Sequence, residues 1–548
     1  MSYNVPHFIN GKTHDDNSAD NRLLSKLAAE SEARGDEARR IAVYTSVHED
    51  SSTESTKKFT SAVEFRKKSN HNIYNPATGE IIGQVSFANA ALCSYTVNVA
   101  KNAWLDWSNT TPIKRCQILF RFRDLLQKYT LDIAKIVTKE HGKTIDDARG
   151  SIARGIELVD FHCGLTMQLA GHFSANISSD IDCHTIRQPL GVCAGVSPFN
   201  FPVMVPIWMI IPAIAAGNTF ILKPSEQAPS APVKLLELLT EAGLPNGVAN
   251  IIHGDKNTVD NLLNNPNIAT FTAVASTPVA EKIYNEAIQN GKRSHTFGGA
   301  KNHCIVMPDA DPENTSKAII GAAYGSAGER CMAISVVVCV GENTGDNLLQ
   351  HLIPLTKQIK IDSGDAPDVD MGPLISSKHR DNVLNIINKG VNEGAELIID
   401  GRNFKHHKYP NGFFLGPCLF DKVTPDMEIY QREIFGPVLV IVRVKTLDDA
   451  IELVNKNQYG NGTAIFTNDG YSARHYSKNV QVGMIGINIP IPVPVANHPF
   501  GGWKRSAFGD YKMHGDESIN FYTKAKTITS RWPKHNLENN TFIMPENG

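Results

Sequence analysis

The sequence predicts an α/β protein: a doubly wound, largely parallel sheet, then a second α/β unit and a small β arm. Three observations predict it. Between residues 191 and 290, short apolar runs alternate with helical stretches of ten to fifteen residues, the pattern of parallel strands joined by crossover helices. After Gly299 a second set of β-rich runs appears at 335–340, 438–444 and 463–466. The tail, 518–529, alternates apolar and polar residues like an edge strand.

Taken in order, residues 15–72 are rich in Ser, Glu, Lys, Arg and Asp, with one short amphipathic stretch at 23–42. They read as an exposed insertion, partly helical or disordered. Regular structure resumes at Ile73, and helical apolar spacing covers 88–123 and 132–169. The alternation then gives strands at 191–196, 219–222, 249–253 and 269–275, with helices at 203–216, 231–242, 257–264 and 278–290. Ligands of such sheets bind beyond the carboxyl ends of the strands. The expected division is 1–14, 73–175 and 188–299 in one domain and 300–505 in a second. Residues 176–187 and 506–535 form the arm, and 536–548 a tail. A strand far from its own sheet pairs readily with another subunit, so a homodimer or homotetramer is expected.

A formal net charge of -2 on 548 residues provides no basic field, which argues against nucleic acid as a partner. The nine cysteines are scattered, odd in number and free of C-x-x-C pairs, as suits reduced thiols inside a cell. No metal-ligand spacing occurs; the adjacent His406 and His407 read as a solvated loop. Residues 188–222 carry no charge, but prolines at 189, 198, 202, 206 and 212 interrupt them. A buried strand–loop–helix–strand fits better than a membrane span. The polar start, Met1 to Thr13, has no signal-peptide core.

Four constellations suggest chemistry. In Gly325-Ser-Ala-Gly-Glu-Arg-Cys-Met332, small residues can expose Cys331 in a tight turn, and Arg330 beside it is expected to favour thiolate. The competing reading is a buried structural cysteine. Ser197-Pro-Phe-Asn200 follows a strand; Asn200 can steady an oxyanion without titrating, or merely cap a turn. Leu222-Lys-Pro-Ser-Glu226 ends another strand, where Lys223 and Glu226 can grip the ribose of a dinucleotide and Glu226 repels a 2′-phosphate; alternatively they form a solvated pair. Glu433-Ile-Phe-Gly-Pro-Val438 joins an acid, an aromatic and a rigid corner, suiting a nicotinamide riboside contact or an ordinary turn.

These motifs, with Phe8-Ile-Asn-Gly-Lys12 and Tyr74-Asn-Pro-Ala-Thr-Gly-Glu80, resemble the aldehyde dehydrogenase superfamily over nearly the whole chain outside the insertion. Gly299-Ala-Lys-Asn-His303, Met307-Pro-Asp-Ala310 and residues 486–494 resemble its methylmalonate-semialdehyde dehydrogenase branch. The resemblance implies a Rossmann-type NAD-binding domain, a catalytic domain and an oligomerisation arm. It further implies that Cys331 attacks an aldehyde, that Asn200 and the Cys331 N–H hold the oxyanion, and that hydride passes to NAD. Ser197, Phe199, Lys223, Glu226, Gln227, Ser276 and Gly298 would line the cofactor site, with Glu433 and Phe435 at the nicotinamide end. Arg330 and Arg154 would clamp a substrate carboxylate; for Arg154 the competing reading is a surface ion pair with Glu157 or Asp160.

Hydrolytic relatives carry Glu-Leu-Gly-Gly, whose glutamate activates water; here the segment is Thr296-Phe-Gly-Gly299. Threonine is no general base near neutrality, so the acyl thioester is expected to pass to coenzyme A. Ala275 and Ala280 replace glycines usual in the family's pyrophosphate loop; a positive φ at 275 would cost about 1 kcal/mol. A hydrolytic succinate-semialdehyde enzyme and a non-catalytic protein that kept the fold are the rivals. Because the opening motif begins at Phe8, a cytoplasmic location is expected over the mitochondrial matrix.

Overall fold

The uncharged stretch around residue 200 becomes the centre of the first sheet. In the computed structural model, which describes residues 3–14, 70–178 and 180–532, Val192–Val196, Met204–Ala215 and Thr219–Lys223 are buried at every position. A strand–loop–helix–strand thus accounts for its apolarity. Among the described residues no helix is long and apolar enough to cross a membrane.

Val192–Val196 lies parallel between Thr219–Lys223 and Ile268–Val274, with Val196 opposite both Lys223 and Ala273. The eight-stranded sheet runs Ala507–Phe508, Arg293–Phe297, Ile268–Val274, Val192–Val196, Thr219–Lys223, Ala249–Ile251, His7–Ile9, Lys12–His14. Chain order reverses between Ile268–Val274 and Val192–Val196. A crevice opens at such a switch point, just past the carboxyl ends of the strands.

A seven-stranded sheet forms the second unit, in the order Glu396–Ile399, Cys418–Asp421, Val438–Val444, Ile334–Val340, Asn302–Val306, Gly462–Phe466, Met484–Ile487. Its central strands are completely or almost completely buried, as expected of a parallel sheet covered on both faces. The third sheet joins Phe173–Ser178, Ile181–Pro189 and Thr523–Arg531.

Several local expectations change. The expected edge strand at 518–529 begins as a helix, Gly515–Tyr522, and only then extends as Thr523–Arg531. It is not a lone strand: it pairs antiparallel with Ile181–Pro189 of the same chain, residue by residue from Thr523 to Arg531. The long helical stretches divide into Ala90–Trp107 and Pro112–Lys128, and into Thr130–His141, Ile145–Cys163 and Leu165–Gln168. Pro112 at the first helical position and left-handed Gly142 mark two of the breaks. Regular structure returns at Asn70, in Asn70–Tyr74; the rest of the expected insertion, 15–69, and the tail from 533 lie outside the described residues. His406 is not solvated. It is buried, stacked on Phe414 and Tyr409, and 3.1 Å from Asp362.

Candidate active site

The loop ahead of Cys331 is strained. Ser326, Ala327 and Gly328 are consecutive residues in the left-handed region, with φ of 55°, 51° and 73°. The first two cost roughly 1–2 kcal/mol each, and such strain persists only where packing over-determines it. Packing does so here: a Cβ on Gly328 would stand 2.1 Å from the Gly436 carbonyl oxygen. The loop thereby wedges against Glu433-Ile-Phe-Gly436, and Phe435 itself has φ 57°.

Cys331, half-buried, emerges from this turn. Its carbonyl accepts from Asn302 Nδ2 at 2.9 Å and Asn461 Nδ2 at 3.1 Å. Asn302 also donates to Ala333 O and accepts from the Gly462 N–H, so the loop is sewn to two strands. Sequence reasoning missed both asparagines: 29 and 130 residues separate them from Cys331. The only available signal was Asn302's place in the Gly299–His303 motif.

Cys331 stands at the junction of two cavities. One, about 20 Å³, is walled by Ala300, Arg330, Cys331, Glu433 and Phe435. The other, about 310 Å³, is walled by Arg154, Trp208, Arg330, Cys331 and Phe500 among others. Asn200 is buried against the same loop and donates to the Glu329 carbonyl at 3.0 Å, leaving its second amide hydrogen for another acceptor.

The electrostatics differ from the expectation for Arg330. Its guanidinium is engaged by Asp147 at 2.8 Å, and the Cys331 thiol is not acidified. Burial pushes it up to about 12; Glu433 adds to the rise, while the Cys331 and Met332 N–H groups and Lys143 oppose it. Desolvation outweighs the neighbouring cation because that cation already has a counter-ion. Behind the loop lies a cluster the motifs did not announce. Glu329 is fully buried, with Oε1 accepting from the Ile375 N–H at 3.1 Å and Oε2 3.7 Å from His141 Nε2. Burial holds its carboxyl well above the ordinary range. Burial also pulls Lys143 down, against the attraction of Asp147 3.7 Å away.

Arg154 makes the surface ion pair weighed against it, with Glu157 at 2.8 Å, and also walls the larger cavity. Thr296 faces the helix Thr277–Gln289. It is buried and its hydroxyl donates to Ala280 O at 2.8 Å, on the helix side of the sheet. Alternation turns the next residue, Phe297, to the opposite face, where it belongs to the apolar cluster containing Met332 and Phe500. The residue on the other face of the strand is thus phenylalanine, which is no base either.

At the crevice, the Ser197 N–H donates to Lys223 O at 3.1 Å, tying the two strand ends together. Lys223 Nζ donates to Glu226 at 2.9 Å; Lys223 is buried and Glu226 about one-third exposed. Burial raises the Glu226 carboxyl, but the charge and hydrogen bond of Lys223 prevail and hold it below the usual range. Exposed Ser276 precedes the helix Thr277–Gln289, whose N-terminal N–H groups form a natural anion seat. Ala275 has no positive φ, and Ala280 lies buried inside that helix; neither alanine strains the loop. Phe199 packs edge-on against Phe435, with ring centroids 5.9 Å apart. Gly298 donates its N–H to Ser506 O, and a Cβ there would meet Arg505 O at 2.7 Å. Ser197 Oγ and Gln227 Oε1 are buried with no hydrogen-bond partner among the described residues. An ionised carboxylate for a ribose, a helix terminus for a pyrophosphate and two unsatisfied buried oxygens fit a dinucleotide.

A doubly wound sheet with this crevice, joined to a second α/β unit that carries a strained cysteine loop, is the architecture of a dinucleotide-using oxidoreductase. The chain belongs to the aldehyde dehydrogenase family, whose model matches residues 63–528. It is 50% identical over 475 residues to a malonate-semialdehyde dehydrogenase of Pseudomonas aeruginosa, covering 86% of this chain and 96% of that one. It is 42% identical to the human mitochondrial methylmalonate-semialdehyde/malonate-semialdehyde dehydrogenase (acylating), covering 87% and 89%. Among solved structures, a putative methylmalonate-semialdehyde dehydrogenase from Sinorhizobium meliloti complexed with NAD superposes with a TM-score of 0.88 at 45% identity, covering 98% and 99%.

Proposed function

We propose that this chain oxidises malonate or methylmalonate semialdehyde with NAD and transfers the decarboxylated acyl group to coenzyme A, giving acetyl-CoA or propionyl-CoA. One observation carries the reading: Cys331 lies between a small cavity bordered by Glu433 and Phe435 and a larger one bordered by Arg154, with Arg330 on both. Glu433 and Phe435 mark the end at which the nicotinamide would approach, and the larger cavity, about 310 Å³, suits a short aldehyde ending in a carboxylate.

Cys331 attacks the carbonyl carbon, and the oxyanion settles on the free amide hydrogen of Asn200 and the Cys331 N–H. NAD supplies a hydride acceptor when bound. Lys223 and Glu226 would hold its adenosine ribose, Ser276 and the helix behind it the pyrophosphate, and Ser197, Phe199, Gln227 and Gly298 the surrounding walls. Glu433 and Phe435 would meet the nicotinamide riboside. Glu226 stays ionised and disfavours a 2′-phosphate. Arg330 and Arg154 orient the substrate carboxylate, which lies β to the thioester carbonyl; the C–C bond breaks, carbon dioxide leaves, the bond's electron pair stays in the thioester as an enolate, and the enolate carbon takes a proton from solvent. With no base at Thr296 or Phe297, water attack is slow and the thiol of coenzyme A takes the acyl group.

Oligomerisation through the arm belongs to the proposal: Phe173 and Ile177 lie exposed on it, with Trp532 just beyond its last strand. So does a cytoplasmic location, supported by nine free cysteines, the condition of a reducing compartment. The test follows NADH formation from both semialdehydes, with and without coenzyme A. Steady-state turnover should require coenzyme A and yield the acyl-CoA; free acid released at a comparable rate without it defeats the proposal.

A further inference from the structure

We infer that Glu433 takes the proton from the Cys331 thiol, generating the attacking sulfur. The inference rests on the reading of Cys331 as the nucleophile and concerns a step that precedes the redox chemistry.

The need for an acceptor follows from the geometry. Cys331 is half-buried, Arg330 beside it is engaged by Asp147, and neither Thr296 nor Phe297 offers a base. A thiol pushed up to about 12 is overwhelmingly protonated at neutral pH. Three carboxyls lie near the loop. Asp147 is held between Arg330 and Lys143, which keep it ionised and a poor proton acceptor. Glu329 points away: Oε1 accepts from the Ile375 N–H, Oε2 faces His141, and the residue does not wall the small cavity.

Glu433 does wall that cavity, together with Cys331. At about 20 Å³ the space accommodates a single water at most, so a proton crosses directly or through one relay. Oε1 is fixed by the Ala300 N–H at 2.9 Å. Oε2 occupies the space a side chain at position 299 would need, since a Cβ on Gly299 would lie 2.3 Å from it. The charged or titratable groups facing Glu433 are Lys301 behind it, and Cys331 and Arg330 across the cavity. Lys301 is itself buried and donates to the carbonyls of Ile429 and Arg432, both at 2.8 Å, steadying the turn that carries Glu433.

Burial lifts the Glu433 carboxyl to about 7, with the Ala300 N–H and Lys301 opposing the rise. It is therefore partly ionised at neutrality and a stronger base than an ordinary carboxylate, the condition for efficient general-base action. The step balances without an added reagent. The S–H bond breaks and its proton moves to Oε2. A sulfur lone pair forms the S–C bond, and the carbonyl π pair moves onto oxygen. Glu433 then loses the proton to solvent.

The test uses cofactor-free protein, which separates this role from any grip on NAD. Alkylation of Cys331 by iodoacetamide is followed by peptide mass spectrometry from pH 5 to 10. In the wild type the rate should rise through about pH 7 and fall in deuterium oxide. Glu433→Gln should remove the inflection and slow alkylation about 100-fold at pH 8, with Glu433→Asp restoring part of the rate and the inflection. If Glu433 merely repels the thiolate, Glu433→Gln alkylates faster. That result, an unchanged profile, or no isotope effect in the wild type overturns the inference, and the isotope measurement needs no variant to fold. Semialdehyde oxidation surviving in Cys331→Ser would instead strike the reading beneath it.

Discussion

The crevice and the nucleophile loop solve opposite problems. At the crevice the polar groups sit at strand ends, close together in sequence and partly wet: Lys223 and Glu226 are three residues apart, and Glu226 remains ionised. At the loop the polar groups come from distant segments, with His141, Lys143 and Glu329 fully buried and Asp147, Arg330 and His379 mostly so. There burial dominates, raising Glu329, Cys331 and Glu433 while lowering His141 and Lys143. A binding site tolerates water and uses charge; a site that must expose a thiol in a low-dielectric wall uses desolvation. Substitutions at the loop should therefore change turnover, and those at the crevice should change affinity.

The largest expected effect is at Cys331. Cys331→Ala should lower NADH formation at least about 10⁴-fold while leaving the thermal midpoint close to wild type, since the side chain is only half-buried. Substantial residual turnover would remove the thiol from the chemistry. Next is Asn200→Ala, expected to lower kcat about 10²–10³-fold with little change in the KM for NAD. The main structural consequence is the loss of one hydrogen bond to the Glu329 carbonyl. An effect confined to KM would place Asn200 with the crevice and break the contrast.

Asn302→Ala tests whether the loop is held from outside itself. The side chain is buried, spends both donor hydrogens on Cys331 O and Ala333 O, and accepts from Gly462. Its loss should cost about 3 kcal/mol of stability, read from the denaturant midpoint, and should lower kcat in the variant that remains folded. Unchanged stability would mean that the strained turn holds itself.

The same contrast explains what could be learned from the sequence. The first sheet was legible because each strand is a short apolar run and its ligand-facing residues follow directly: Ser197 to Asn200, then Lys223 to Glu226. Strand alternation failed at 518–522, because Gly515, Asp516 and Glu517 start a helix whose buried face includes Ser518, Ile519, Phe521 and Tyr522. It also failed to show that Thr296 and Phe297 exchange faces, because one residue of register reverses every side chain and no motif fixes it. The buried cluster behind Cys331 was not legible at all. His141 and Glu329 lie 188 residues apart, and nothing local to either residue marks the other.

The smallest effect should come from the crevice. Glu226→Gln should raise the KM for NAD about tenfold, the loss of one hydrogen bond to a charged group, with kcat nearly unchanged, and should improve the use of NADP by removing a repulsive carboxylate. The pH dependence follows from the sign of the shift. Glu226 lies below its ordinary value of 4.5 in the folded protein, where Lys223 overcomes the effect of burial. Its contribution is thus present above that value and is lost only as the pH falls through the depressed one. The KM for NAD should accordingly stay flat from neutrality down to about pH 5, while turnover, governed by Glu433 near 7, falls over the same interval. If the KM rises in step with the fall in turnover, the two regions titrate together and the division between a wet binding side and a dry reacting side does not hold.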